Sequence, residues 1–254
     1  MSSEKKLAIK GAAWTIASYG SSQIIRFGSN LILTRLLLPE LFGLMGLAYV
    51  FIIGINLFTD IGLGPSIIQN KRGDDPQFLN TAWTMQVIRS LFVWLCLILI
   101  TWPVTQFYEE PRLMWLIPAI SINTLIGGFK STSVSTLERK MSVKEVVLFE
   151  FGTQIISTTV MIVWALLDRS IWAIIVAGWT GAVVELVWSH FLIPGKSNRF
   201  AWDKEAVKEI FSYGKWIFLS TILFFLCSQA DRLILGKIFT LAMLGIYGIA
   251  FTLG

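Results

Sequence analysis

Apolar residues in this chain come in blocks about as long as a bilayer is thick, and short polar breaks separate them. A hydrocarbon core of about 30 Å needs about 20 helical residues to cross it. On that measure the blocks predict spans at about 11–36, 41–64, 80–103, 113–131, 146–167, 171–193 and 212–237, with an eighth starting near 241. The breaks carry turn and charge signals: "LPEL", "NKRGDDPQ", "QFYEEPR", "LERKMSVKE", "DRS" and "GKSNRFAWDKE". Prolines 39, 65, 76, 103, 111 and 194 fall at or near predicted helix ends, where a missing N–H costs little, and Pro118 alone sits inside a span. The pattern predicts an all-α polytopic membrane helix bundle.

Polar positions inside the blocks recur with the period of a helix. At 100° per residue, Thr15, Ser18, Ser22, Arg26, Ser29 and Asn30 of the first span fall within an arc of about 120°. The fifth span aligns Glu150, Thr153, Gln154, Ser157 and Thr158, and the sixth aligns Gly178, Gly181, Ala182, Glu185 and Ser189. The seventh groups Thr221, Ser228, Asp231 and Arg232. Lipid penalises such stripes, so they are expected to converge on a bundle interior or a wet cavity. Ser and Thr stripes also serve as hydrogen-bonding glue between membrane helices, and that reading stays open for each.

Composition agrees with the pattern. The chain is 55% hydrophobic and only 15% charged, against about 25% in soluble domains. Its net charge of +5 is not a nucleic-acid footprint, because the cations are scattered over short loops. With the N-terminus inside, fourteen Lys and Arg fall in the inner segments, among them Lys71, Arg72, Lys130, Arg139 and Lys196. Four fall outside: Arg35, Arg112, Arg169 and Lys237. That bias predicts a cytoplasmic N-terminus. The start lacks the apolar core and cleavage site of a secretory signal. Cys96 and Cys227 both lie in spans, with no metal or disulfide pattern.

The chain repeats itself at an offset of 202 residues. Residues 14–52 pair without gaps with 216–254: Trp14 meets Trp216, Ser18 meets Ser220, and "LIL" at 31–33 meets "LIL" at 233–235. Gly43, Gly46 and Ala48 meet Gly245, Gly248 and Ala250. Six helices separate the copies, which makes this a parallel repeat of the kind found in secondary transporters. Residues 241–254 would rise only about 21 Å. The expectation is therefore a fragment: a six-helix lobe at 1–195, an interfacial amphipathic connector at 196–211, and the truncated start of a second lobe at 212–254.

The stretches "LLPELFG" at 37–43, "DIGLGPSIIQ" at 60–69 and "DRLILG" at 231–236 lie within a longer likeness that covers nearly the whole chain. This resembles the polysaccharide-transporter branch of the multidrug/oligosaccharidyl-lipid/polysaccharide exporter superfamily, the O-antigen, capsule and colanic-acid type of flippase. The resemblance implies 12 to 14 helices in two lobes around a central cavity in the bacterial inner membrane. It also implies an undecaprenyl-diphosphate-linked oligosaccharide as substrate, polysaccharide polymerase and assembly proteins as partners, and no cofactor beyond a coupling H+ or Na+.

The candidate substrate-cavity residues are Arg26, Ser22, Asn30, Gln154, Arg89 and Arg232. Arg26 stands out because a mid-span cation costs at least about 2.5 kcal/mol to insert, and its guanidinium offers a diphosphate a bidentate fork. Its alternative is a structural ion pair with Glu150 or Asp60. Arg89 can snorkel inwards, and Arg232 can pair with Asp231. Asp60, Glu150, Glu185 and Asp231 are the intramembrane acids, each a coupling site or a structural partner. Asp60 is expected about a turn inside the end of the second span, before a Gly-Leu-Gly-Pro break. Most tryptophans lie near span ends, as an aromatic belt would place them. His190 reads as a packed or solvated histidine. In the connector, Asp203 is the expected N-cap, with Ile210 and Phe211 facing the membrane. A lipid-II-type or multidrug exporter is the alternative transporter. A membrane polymerase or acyltransferase would need a catalytic set for which the short outer loops leave no room.

Overall fold

The computed structural model describes residues 3–253, and the side chains among them except those of 3–13, 215–219 and 252–253. The side chains of Lys5, Lys6, Lys10, Lys215 and Trp216, used above for orientation and repeat, lie outside the described residues. Among the described residues there are ten helices: α1 (Ser3–Leu36), α2 (Pro39–Phe58), α3 (Leu63–Gln69), α4 (Pro76–Tyr108), α5 (Leu113–Gly128), α6 (Ser133–Arg139), α7 (Val143–Leu167), α8 (Trp172–Phe191), α9 (Lys204–Ile238) and α10 (Leu241–Leu253). Among the described residues α2, α4, α7 and α8 are each long and apolar enough to cross a membrane, and α5 with α6 forms a fifth such segment bent by 60°. The fold is an all-α membrane helix bundle.

Local chemistry sets several helix starts. Pro39 and Pro76 open α2 and α4, where the missing N–H is an orphan in any case. Asp75 caps α4 by accepting from the Gln77 N–H, and Asp203 caps α9 by accepting from that of Glu205, as expected of it. The main core lies where α2, α4, α5 and α8 meet, around the fully buried Leu47, Val93, Leu97, Leu116, Ile120 and Ile175. Helix α7 lies between α1 and α8, and α9 and α10 pack on α2.

Four boundaries differ from the sequence reading. The second span stops at Phe58, so Asp60 lies beyond the helix rather than inside it. Its carboxylate accepts from the Gly62 N–H, and Gly62 turns through the left-handed region at φ 63° into α3. The fourth span ends at Gly128 and bends into α6. Pro103 sits inside α4, which continues five residues past it. The end of the connector and the seventh span are not separate helices: α9 runs unbroken from Lys204 through both, and Ile210 is buried against Leu63, Phe78 and Leu79 rather than facing lipid. Phe211 is exposed, as expected.

One side of α4 closes both broken spans. Arg89 donates through Nε to the Thr59 carbonyl at 2.9 Å and through Nη2 to that of Asn56 at 2.7 Å, both at the end of α2. Gln86 donates to the carbonyls of Gly128 and Lys130, both at 3.0 Å, at the end of α5. The Trp83 indole reaches the Phe129 carbonyl at 3.3 Å. Helix ends leave carbonyls without partners, and a buried one is costly. Trp83, Gln86 and Arg89, three residues apart along α4, supply donors to those carbonyls.

The segment joining α8 to α9 is strapped across the same end of the bundle. The N–H groups of Arg199, Ala201 and Asp203, at alternate positions, donate to the side chains of Asn80, Thr84 and Thr81. Arg72 then bridges Asp75 and Asp203, at 2.9 and 2.6 Å. Its guanidinium, through hydrogen bonds first, holds the Asp203 carboxyl below the usual carboxylate range, and Asp75, with its own N–H donor from Gln77, is lowered too. Arg72 is itself pushed up by the same contacts.

The repeat has a geometric counterpart. A Cβ on Gly43 would lie 1.9 Å from the Leu241 carbonyl oxygen, and one on Gly245 would lie 1.9 Å from that of Pro39. Residues 39 and 241, and 43 and 245, are repeat partners. Helices α2 and α10 therefore cross backbone to backbone about a local pseudo-two-fold axis, which only glycine permits.

Candidate functional site

Three of the four predicted stripes converge. A cavity of 1080 Å³ lies between α1, α7, α8, α5 and α2. Ser22, Arg26, Ser29 and Asn30 line it from α1, and Glu150, Thr153, Gln154, Ser157 and Thr158 from α7. Helix α8 contributes Gly178, Gly181, Ala182 and Glu185. Small residues on α8 make the space: Gly181 already lies 3.3 Å, measured from where its Cβ would be, from the Ser157 side chain. Gln154 ties the two longest walls together, donating to the Ser22 carbonyl at 3.1 Å.

Arg26 is exposed to this cavity, and among the described residues its guanidinium has no hydrogen bond or ion pair. The structural pairing with Glu150 or Asp60 is therefore not formed. Glu150 likewise has no salt-bridge partner among the described residues, whereas Glu185 pairs with Lys130 at 3.3 Å. The cavity thus holds an open cation, an open acid and a neutralised acid.

Other candidates lie elsewhere. Arg89 does not line this cavity, because the carbonyls of α2 draw it to a side cavity of 350 Å³ shared with Asp60 and Lys130. Arg232 lines a third space of 170 Å³ with Asn30, and its guanidinium lies 5.3 Å from the Phe251 ring centre rather than on Asp231. Asp231 instead accepts a hydrogen bond from the Tyr247 hydroxyl. The stripe of the seventh span therefore faces α2 and α10, with Thr221 bonded to the Leu57 carbonyl. Ser189 is buried and accepts from the Ser131 N–H. His190 sits 3.2 Å from the Phe129 carbonyl, a packed histidine as expected.

Sequence reasoning missed Tyr49, Asn123 and Lys130. Tyr49 and Asn123 line the main cavity. Asn123, an amide inside the apolar run "LMWLIPAISINTLIGG", carried a signal that could have found it, since a polar side chain at that depth is costly without a purpose. Among the described residues no group of acids, His and Cys could hold a metal ion.

The bundle and its polar cavity define a multi-pass α-helical membrane protein with room for a polar ligand. Residues 32–254 match the family described as polysaccharide biosynthesis protein, and the chain belongs to that family. It is 27% identical over 179 residues to the amylovoran biosynthesis protein AmsL of Erwinia amylovora, covering 67% of this chain and 45% of the relative. It is 20% identical over 247 residues to the succinoglycan biosynthesis transport protein ExoT of Rhizobium meliloti (strain 1021), covering 96% and 49%. It is 22% identical over 256 residues to the teichuronic acid biosynthesis protein TuaB of Bacillus subtilis (strain 168), covering 99% and 52%. The chain spans about half the length of these relatives. No solved structure matches it.

Proposed function

We propose that this chain is part of a flippase that carries an undecaprenyl-diphosphate-linked oligosaccharide across the bacterial inner membrane by alternating access, for polysaccharide export. It acts as a transporter rather than an enzyme. The observation that carries the reading is Arg26: a cation with no partner among the described residues, facing a polar cavity large enough for a headgroup, in a family of polysaccharide biosynthesis proteins. Ser22, Asn30 and Gln154 supply neutral hydrogen bonds to sugar, and Arg26 supplies a fork for phosphate. Glu150, the open acid on the same wall, is the coupling site for H+ or Na+. Residues 1–195 form one lobe, and 212–254 belong to a second related to it by the 202-residue repeat. The end rich in Lys and Arg faces the cytoplasm. The names of two relatives, a transport protein for succinoglycan and a biosynthesis protein for teichuronic acid, support a polysaccharide as the cargo.

The test is complementation. A strain lacking its own polysaccharide flippase, and expressing the gene that encodes this chain, should lose its accumulated lipid-linked intermediates and regain surface polymer. Continued accumulation with the protein present in the membrane would overturn the reading.

A further inference from the structure

The main cavity has a charge problem. Among the described residues its lining contributes one cation, Arg26, and two acids, Glu150 and Glu185. A phosphate-bearing ligand entering that space meets more negative charge than positive. Among the described residues Lys130 offsets this, its ammonium pairing with Glu185 at 3.3 Å.

Lys130 stands at a junction. It lines the side cavity, Glu185 lines the main one, and Gly127 lines both. A Cβ at Gly127 would meet nothing within 4 Å, so the backbone there borders open space. The root of Lys130 is fixed, since Gln86 holds its carbonyl at 3.0 Å. Its head is held more loosely: the pair with Glu185 is partly exposed, and the ammonium's further contact is the face of the Phe149 ring, 5.9 Å from its centre. A four-carbon stem on a fixed root can swing an ammonium between two partners.

We infer that Lys130 is a second phosphate contact, held by Glu185 while the cavity is empty and transferred to the ligand's diphosphate when it is filled. The inference rests on the proposed substrate. Arg26 on α1 and Lys130 after α5 then approach the anion from different walls. Glu185, released, is left as an acid facing an anion and takes up a cation or a proton there. Ligand binding and the charge state of Glu185 are thereby linked through one side chain.

The protein, reconstituted in phosphatidylcholine nanodiscs, is titrated with farnesyl diphosphate and separately with farnesol. The wild type should prefer the diphosphate. Glu185→Gln frees Lys130 and should tighten diphosphate binding about tenfold, the low end for one hydrogen bond to a charged group. Lys130→Met should weaken it by a similar factor and abolish the effect of a second Glu185→Gln change, while Lys130→Arg should retain binding. Should Lys130→Met lose its thermal unfolding transition, Glu185→Gln and Lys130→Arg decide the matter. A wild type that prefers the diphosphate, with Glu185→Gln no tighter than wild type, would overturn the role of Lys130 and leave the substrate class standing. A wild type that does not discriminate between the two probes would overturn both.

Discussion

Arg26 and Arg89 bring the same side chain into the same bundle and end in opposite situations. Arg89 spends its donors on two carbonyls of α2, and Arg26 meets the open cavity with none of its donors engaged by the described residues. Their substitutions should separate accordingly. Arg26→Gln should leave membrane abundance unchanged, because no buried partner is orphaned. It should cut export by about 10–100-fold if Arg26 holds phosphate, from the 1.5–3 kcal/mol of a hydrogen bond to a charged group. Arg26→Lys should keep part of the activity, as a point cation replaces a fork. Arg89→Gln should do the reverse and lower thermal stability, by about 1–3 kcal/mol, as the Thr59 carbonyl loses its donor and that of Asn56 keeps only the Thr59 hydroxyl. Immunoblots of membranes beside polymer export measure both. The sequence set Arg26 apart but did not show what holds Arg89. Their spacing places each mid-span, but the carbonyls that claim Arg89 lie 30 and 33 residues away. Arg26 was legible because its own helix presents Ser22, Ser29 and Asn30 beside it.

Among elements, α4 carries more of the architecture than its apolar sequence suggests. Gln86→Ala should free the carbonyls ending α5 and loosen the bend into α6, which hydrogen exchange across 126–133 would detect as faster exchange. The strap from 199 to 203 makes a second prediction. The Asp75 and Asp203 carboxyls are held below their unfolded value of about 3.9 by Arg72 and backbone donors. A carboxyl lowered by folding stabilises above the unfolded value, and the contribution disappears as pH falls through the folded one. The junction of strap and α9 should therefore be intact at neutral pH and become protease-sensitive below about pH 4, sooner in high salt because the pair is near the surface. Arg72→Met should bring that sensitivity to neutral pH. Elements were legible where polar stripes repeat every three or four residues, as on α1, α7 and α8. They were not where a helix passes a conventional stop. Pro103 reads as a helix end yet lies within α4, and "FAWDKE" reads as a separate surface helix, yet Ile210 is apolar enough to bury and α9 continues.

For the whole molecule, orientation and symmetry are the testable features. In a variant with Cys96 and Cys227 replaced, single cysteines at 73 and 142 should be shielded from an impermeant thiol reagent in intact cells, and one at 110 should label; the opposite pattern would invert the orientation. The repeat, weak as a string of letters, becomes specific in space because Gly43 and Gly245 each meet the backbone of the other's helix. Gly43→Ala and Gly245→Ala should each cost about 1–3 kcal/mol as overpacked contacts. Their combined effect should depart from the sum, since both act on one crossing. The strap also imposes a schedule on synthesis. Its three anchoring contacts join residues 119, 117 and 122 positions apart. At the usual pace of translation, about 5–20 residues per second, Asn80, Thr81 and Thr84 leave the ribosome roughly 6–24 s before the backbone that will engage them. During that interval the start of α4 shows polar side chains to the membrane surface and to the insertion machinery. The loop end of the bundle is therefore the last part of these first eight helices to set, and a ribosome that pauses before residue 199 leaves it unfastened.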